Sequence, residues 1–290
     1  MQAIRTILCP TDFSSTSDRS RHLAGELAQS FNARLVLHHN LADSPPGFLS
    51  VGWMKNEEEA DRTRDLEVKA SEGLAHLLDS QPEGVEAEAR LTRGPLEDGI
   101  RSLAEQIGAD LIVLGSHGHS TVKHQSLTEL LLRDTGIPIL ATGGHCERDS
   151  LTDAPPTAPI VVAVDLDQPV AGFADGIIEL ASRLPNPLAW LYVDPLSRES
   201  SSERLIEKLP TDLADRSTVM IRHGDPAKAI LEAAKELDSV LIVVGTGQQR
   251  WFERRIGRTA VAVLQESGCP TLCIPPVRRR RAADQPATVR

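Results

Sequence analysis

An internal repeat that spans most of the chain is the feature that most constrains its fold. Gly94 and Gly115 lie 21 residues apart in the first half, and Gly224 and Gly245 repeat that spacing in the second half. The residues around the second glycine of each pair read LIVLGSHGH and LIVVGTGQQ. Chance does not readily produce such a match, so the two halves are predicted to share one fold.

The same repeat marks the beginning and the end of each half. A short apolar run ends in Asp12 in the first half and in Asp165 in the second, and a segment of helical character follows each run. Pro138 and Pro270 complete the same Gly-x-Pro turn before a final apolar strand, and a proline-rich segment between the halves indicates a linker. The predicted organisation is a domain at 1–145, a linker at 146–158, a second domain at 159–277 and a basic flexible tail at 278–290.

Continuous apolar runs alternate with amphipathic stretches within each half. Runs such as LVLHH, LIVLG and LIVVG are typical of strands buried on both faces, which occur in parallel sheets covered by helices. The second half is expected to repeat the first with a shorter second helix. The fold class is therefore α/β, with two tandem doubly wound domains, and the first-half strands are predicted near 4–9, 34–39, 85–91, 110–115 and 138–142.

Composition and charge exclude several classes of protein. No apolar run approaches the roughly 20 residues that a membrane span needs, and Pro10 and Asp12 interrupt the only apolar stretch near the N-terminus. The net charge of −10 argues against general binding to nucleic acid or anionic lipid. The arginine run at 278–281 is interpreted as a solvated tail, with a phosphate contact as the alternative.

The four cysteines are too few for a disulfide framework and match no paired metal-binding spacing. This usage fits a reducing cytoplasm. Cys9 and Cys273 lie in apolar strands and Cys269 precedes a proline, so all three are predicted to be buried and unreactive. Cys146, beside the linker, is predicted to be the exposed one.

Two loops are expected to form a ligand crevice. In doubly wound sheets, ligands bind at the carboxyl ends of strands where the strand order reverses, so the loops after the first and fourth strands should face each other. Asp12 follows the first strand and Gly115 the fourth. Gly115 and Gly118 would let backbone N–H groups approach a phosphate at a helix N-terminus. The alternative for Asp12 and Asp165 is a capping role that needs no ligand.

Four segments together resemble the universal stress protein family: ILCPTDFS, the histidine that closes the second strand, LIVLGSHGHS and the closing GIPIL. The resemblance covers nearly the whole chain, twice. It implies a five-stranded parallel sheet of order 3-2-1-4-5 in each half, and pairing of two domains through their last strands. In one branch of the family it also implies ATP binding, with the strand-one aspartate facing adenine or ribose and a G-x2-G-x9-G-[ST] loop wrapping the phosphates.

The chain matches this loop pattern only in part. Thr128 and Glu129 stand where the pattern has glycine and then serine or threonine, and a carboxylate there is expected to weaken triphosphate binding. In the second half the spacing from Gly247 reaches Gly257, but Arg258 replaces the hydroxyl residue. Arginines 250, 254, 255 and 258 could contact phosphate or could form a solvated helix face.

The predicted site residues follow from these motifs. Nucleotide binding is assigned to Pro10, Thr11, Asp12, Phe13, His39, Asn40, Gly115, Ser116, His117, Gly118, His119 and Thr128. The second-half candidates are Asp165, Gly245, Gly247, Gly257, Arg258 and Thr259. No metal site is predicted, although His117, His119 and His124 could converge with His39. No catalytic residue is assigned, because the sequence has no nucleophile elbow, Walker lysine or carboxylate cluster for magnesium.

Two functions of different classes follow. The favoured one is a cytoplasmic stress sensor or regulator that binds an adenine nucleotide (ATP, ADP or AMP) in the first domain, requires no cofactor and has no substantial catalysis. Its partners would be the nucleotide, unidentified proteins and a second copy docked through domain surfaces, but not a membrane or a nucleic acid. The alternative is a nucleotide-independent scaffold whose pockets have decayed.

Overall fold

The computed structural model describes residues 3–41, 57–115, 126–143, 145–146, 148, 150–166, 171–194, 201–247 and 256–276. Within them the first half consists of β1 (Thr6–Pro10), α1 (Ser15–Phe31), β2 (Arg34–Leu41), α2 (Glu57–Asp79), β3 (Ala87–Arg93), α3 (Leu96–Ile107), β4 (Leu111–Gly115), α4 (Leu127–Thr135) and β5 (Ile139–Thr142). Each of these strands overlaps the range predicted from the sequence.

The second half repeats this order. Its elements are β6 (Ile160–Val164), α5 (Ala171–Arg183), β7 (Leu188–Val193), α6 (Ser201–Lys208), a 3-10 helix (Thr211–Arg216), β8 (Ser217–Arg222), α7 (Pro226–Glu236), β9 (Leu241–Gly245), α8 (Arg258–Glu266) and β10 (Thr271–Ile274). The predicted shortening of the second helix is confirmed, because α6 has 8 residues where α2 has 23.

The strands of both halves form one 10-stranded sheet in the order β3-β2-β1-β4-β5-β10-β9-β6-β7-β8. Strand pairs within each half are parallel, which confirms the predicted order 3-2-1-4-5. The halves join where β5 and β10 pair antiparallel, with Leu140 opposite Leu272. The predicted pairing through the last strands therefore occurs within one chain. As a consequence, the carboxyl ends of the strands in the two halves lie at opposite edges of the sheet.

Helices cover both faces of this sheet. On one face, α1, α2, α5 and α6 contribute side chains such as Leu27, Leu74 and Leu180 to a core that runs through both halves. On the other face, α3, α4, α7 and α8 contribute side chains such as Ile100 and Leu131. Alternate residues of the central strands enter the two cores, which is why these strands read as continuous apolar runs, whereas the edge strand β3 faces a core only with Ala87, Ala89 and Leu91.

The predicted linker is packed against the domains. Leu151, Ala154 and Ala158 are buried in the core of the first face. The Glu26 carboxylate on α1 accepts hydrogen bonds from the backbone N–H of Leu151 at 2.8 Å and from the hydroxyl of Thr152 at 3.0 Å. These contacts hold the segment between the halves to the first helix.

All four cysteines are buried. The prediction for Cys146 is therefore wrong, because this residue lies in the packed linker, where its carbonyl accepts a 2.5 Å hydrogen bond from the Arg19 guanidinium. Burial raises the pKa of the Cys9 thiol to about 12 and that of the Cys269 thiol to about 11. Among the described helices, none combines the length and the apolar character needed to cross a membrane.

Candidate functional site

The loops that follow β1 and β4 meet at the point where the strand order of the first half reverses. β1 pairs with β2 on one side and with β4 on the other. The connection after β1 therefore runs toward one side of the sheet and the connection after β4 toward the other. Pro10 is buried at the end of β1, opposite His38 in β2, and Gly115 ends β4. This arrangement produces the predicted crevice at the carboxyl edge of the sheet.

The loop between β1 and α1 is held by its own polar side chains. The Thr11 hydroxyl accepts from the backbone N–H of Phe13 at 3.0 Å, and the Asp12 carboxylate accepts from the N–H of Ser14 at 3.0 Å. Ser14 in turn caps α1 by accepting from the N–H of Ser17 at 3.2 Å. Asp12 is exposed, so it supports the turn and also presents its charge to solvent.

Phe13 is an exposed aromatic residue in a strained backbone conformation. Its φ of 60° lies in the left-handed region, which is an outlier for a bulky side chain, and the residue is 42% exposed. Its ring centroid lies 4.5 Å from that of His39, whose Nδ1 donates to the Thr11 carbonyl at 2.8 Å. A Cβ on Gly73 of α2 would lie 2.9 Å from the Phe13 ring, so a glycine there lets the ring approach the helix.

Gly115 is required by close packing against α1. A Cβ at this position would lie 2.8 Å from Cγ2 of Thr16, in the first turn of that helix. The next turn of α1 is tied to the last strand, because the hydroxyls of Ser20 and Thr142 are 2.8 Å apart in a buried hydrogen bond. The crevice is thus connected through α1 to the strand that joins the two halves.

His38 lies outside the crevice, although it is adjacent in sequence to the predicted binding residue His39. Successive strand residues face opposite sides of the sheet, so His38 points to the α3 face and is fully buried, whereas His39 is half-buried at the crevice. Its Nε2 donates to the Thr92 hydroxyl at 2.7 Å, and this hydroxyl donates to Oδ1 of Asn40 at 2.7 Å. Asn40 donates to the carbonyl of Gly94 at 2.9 Å.

The second ring nitrogen of His38 has no partner. Nδ1 is buried and receives no hydrogen bond. Burial, followed by the neighbouring His39, lowers the pKa of His38 to about 4. The ring is therefore neutral at physiological pH, and its Nε2–H tautomer is fixed by Thr92. Asn40, a predicted binding residue, holds the turn between β3 and α3 in place through this chain of bonds.

Helix α4 begins with a reciprocal capping interaction. Ser126 accepts from the backbone N–H of Glu129 at 3.2 Å, and its hydroxyl donates to the Glu129 carboxylate at 3.2 Å. Serine therefore begins the helix, two residues before the position that the loop pattern assigned to glycine. Thr128, a predicted binding residue, is 1% exposed, and its hydroxyl is buried without a hydrogen-bond partner.

Several predicted residues lie outside the described part of the chain. In the first half these are Ser116, His117, Gly118, His119 and His124, and in the second half they are Arg250, Arg254 and Arg255. The phosphate loop proper therefore remains a prediction. Among the residues that are described, no group of three or more His, Cys, Asp or Glu side chains could hold a metal ion.

The second half keeps the framework but changes the side chains of the crevice. Strand registers make Asp165, Leu166 and Tyr192 the counterparts of Asp12, Phe13 and His39. Asp165 is exposed like Asp12, but Leu166 and Tyr192 are only 3% and 4% exposed. The second half therefore has a buried aliphatic side chain where the first half has an exposed aromatic one.

The end of β9 also has different neighbours, although Gly245 itself is exposed. A Cβ on Gly245 would lie 3.7 Å from the ring of Phe173, so an aromatic side chain packs beside this strand end. The amide of Gly257 donates to the carbonyl of Thr246 at 3.1 Å, which holds the start of α8 against the end of β9. The remaining candidates lie around this point: Gly247 has a φ of 81°, Arg258 is exposed and Thr259 is half-buried.

Residues that the sequence did not single out hold the predicted site residues in place. Thr16, Gly73 and Thr92 support Gly115, Phe13 and Asn40 respectively. No local pattern marks these three, because their roles depend on contacts between distant elements. The cap of α4 is different, since the spacing Ser126-x-x-Glu129 is a recognisable capping box.

The comparisons with known proteins agree with this architecture. The model of the universal stress protein family matches residues 3–142 and again residues 157–275. A universal stress protein of Archaeoglobus fulgidus has a similar fold, with a TM-score of 0.70 at 20% identity over 93% of this chain and 96% of that one.

Two curated relatives match in sequence. Universal stress protein Slr1230 of Synechocystis is 32% identical over 103 residues, which is 34% of this chain and only 33% of that protein. Stress response protein NhaX of Bacillus subtilis is 25% identical over 168 residues, which is 57% of this chain and 98% of that protein. Because the family model matches most of the chain in two segments, the protein belongs to the universal stress protein family and carries two of its domains in tandem.

Proposed function

We propose that the first half of this stress protein binds an adenine nucleotide. The observation that carries the proposal is Phe13, an exposed aromatic ring held in a left-handed backbone conformation beside an exposed aspartate. Exposure of the ring and backbone strain both oppose folding, and such strain is concentrated at functional sites. An aromatic face stacks on a purine, and a carboxylate accepts hydrogen bonds from ribose hydroxyls or the adenine amino group.

The second half supplies an internal control for this interpretation. Leu166 is buried where Phe13 is exposed, and at two further positions the second half has apolar residues where the first half has polar ones. The fully buried Leu191 corresponds to His38, and Ala260 corresponds to Thr128. In the first half, Nδ1 of His38 and the hydroxyl of Thr128 are buried without partners, and their apolar counterparts leave no polar atom at these two positions of the second half. The proposal therefore assigns binding to the first half and a structural role to the second.

The proposed activity is regulated binding without turnover. A ligand held between Asp12 and Gly115 would contact the first turn of α1, and α1 is bonded to β5 through Ser20 and to the linker through Glu26. Occupancy could thereby alter surfaces used by a partner protein or a second copy of the chain. A cytoplasmic location forms part of the same proposal and is supported by four buried thiols.

The test is to denature freshly purified protein and identify the released small molecules by mass spectrometry. The informative variant is Asp12→Asn, which keeps an oxygen acceptor for the N–H of Ser14 but removes the charge. Asp165→Asn makes the matched change in the second half. We expect AMP, ADP or ATP from the wild type and from Asp165→Asn, and much less from Asp12→Asn.

A protein that releases no nucleotide and also ignores added nucleotide would favour the scaffold alternative. The side chains of the second half support that function for at least one of the two domains, because Leu166 and Tyr192 are buried there. In that case both halves would act through their outer surfaces.

A further inference from the structure

We propose that the crevice of the first half prefers an adenine nucleotide with one phosphate, such as AMP, over ATP. This inference rests on the proposed function, because it narrows the ligand of the same crevice. It is carried by the start of α4, where Ser126, Thr128 and Glu129 have an arrangement that the second half does not repeat.

The start of α4 lies at the crevice because of the parallel topology. β4 ends at Gly115 on the carboxyl edge, and β5 begins at the opposite edge, so the helix between them begins near the carboxyl edge. The second half shows the same relation directly, since the residue before α8 donates a hydrogen bond to the residue after β9. A nucleotide that enters beside Asp12 would therefore direct its phosphates toward α4.

The Ser126 cap and the Glu129 carboxylate make this helix start a poor site for several phosphates. Free N–H groups and the helix dipole ordinarily favour an anion at an N-terminus. Here the N–H of Glu129 is already bonded to Ser126, and the Glu129 carboxylate places a negative charge in the first turn. The second half has neither feature at its α8, where Gly257 provides no side-chain cap and Arg258 is the first helical residue. Each added phosphate of ADP or ATP would increase the repulsion from Glu129.

A smaller polar group suits the same turn. The Thr128 hydroxyl is buried there without a partner, whereas its counterpart Ala260 has no polar atom to satisfy. One phosphate or a ribose hydroxyl could supply the missing hydrogen bond without bringing the charge of a triphosphate against Glu129. Buried polar groups without partners are uncommon in native proteins, and a ligand group at the start of α4 would explain this one.

Titration calorimetry of the full chain with AMP, ADP and ATP, with and without Mg²⁺, tests the inference. We expect AMP to bind at least about tenfold more tightly than ATP. Glu129→Gln removes the charge but keeps a side-chain oxygen that can accept from the Ser126 hydroxyl, and should reduce the preference about tenfold by strengthening ATP binding. Glu105→Gln removes an equal charge from the last turn of α3, far from the crevice edge, and should leave the preference unchanged.

The outcomes separate this inference from the proposed function. Wild-type protein that binds ATP as tightly as AMP, with or without Mg²⁺, overturns the inference and leaves the proposed function standing. The same conclusion follows if Glu129→Gln strengthens AMP and ATP binding equally. Failure of all three nucleotides to bind would overturn the proposed function, and the inference with it.

Discussion

The buried histidine on β2 makes the free energy of unfolding depend on pH, and its environment sets the direction and size of that dependence. His38 is fully buried, its Nδ1 has no partner, and burial lowers its pKa from 6.5 to about 4. From about one unit above pH 6.5 the ring is neutral in both the folded and the unfolded chain, so it contributes almost nothing to the pH dependence there. Between pH 6.5 and 4 only the unfolded chain binds the proton, and unfolding is favoured progressively as the pH falls.

The size of the effect follows from the two pKa values. One pKa unit corresponds to about 1.4 kcal/mol, so the full loss of stability is about 3 kcal/mol, of which about 2 kcal/mol is lost by pH 5. His38→Leu removes the titrating group and copies Leu191, the residue that packs at this position in the second half. The variant is therefore expected to lose about 2 kcal/mol less stability than the wild type between pH 7.5 and pH 5.

Urea unfolding followed by circular dichroism at the two pH values measures this difference. Other groups titrate in the same range, so the comparison is between variants and not between absolute curves. His76→Gln, at an exposed position near the end of α2, provides the control and should follow the wild type. If wild type and His38→Leu lost equal stability on acidification, His38 would not be held neutral by burial and the reasoning would be wrong.

Three further predictions test the packing. Gly73→Ala would place a methyl group 2.9 Å from the Phe13 ring, so the nucleotide affinity measured in a binding titration should fall severalfold. Ser71→Ala, on the exposed face of α2, should leave the nucleotide affinity unchanged. The four thiols should resist a thiol reagent at pH 8 in the folded protein and all react in urea; rapid labelling of even one thiol before unfolding would contradict the burial. Gly176 lines an apolar cavity of about 10 Å³ between the halves. Gly176→Ala should raise the free energy of unfolding in urea titrations by about 1–2 kcal/mol, because alanine favours the helix and its methyl group partly fills the cavity. A destabilised variant would show that the cavity cannot accept a methyl group.

Much of the fold could be predicted from the sequence because its strands are buried on both faces. The runs ending at Gly115 and Gly245 are apolar without interruption, and the repeat of each run fixes two copies of one topology. Pairing of β5 with β10 followed from the family resemblance and was confirmed. Local signals were sufficient for the central strands because each is specified by its own apolar composition, whereas the half-buried edge strands β3 and β8 were placed by the repeat and the family resemblance.

The site was less predictable because its geometry depends on alternation and on distant contacts. His38 and His39 are adjacent in sequence, yet the strand sends one into the core and the other to the crevice. The fit between Phe13 and Gly73 joins a loop to a helix that begins far along the chain, and no local pattern encodes such a contact. Cys146 was expected to be exposed because linkers usually are, but this linker is packed against α1.

Native mass spectrometry of the full chain with AMP tests the central claim most directly, because it counts the nucleotides bound to each chain. The account predicts one AMP per chain, lost in Phe13→Leu, which copies Leu166, and retained in Leu166→Ala as a control in the second half. Two nucleotides per chain, or one that persists in Phe13→Leu, would contradict the assignment of the site to the first half.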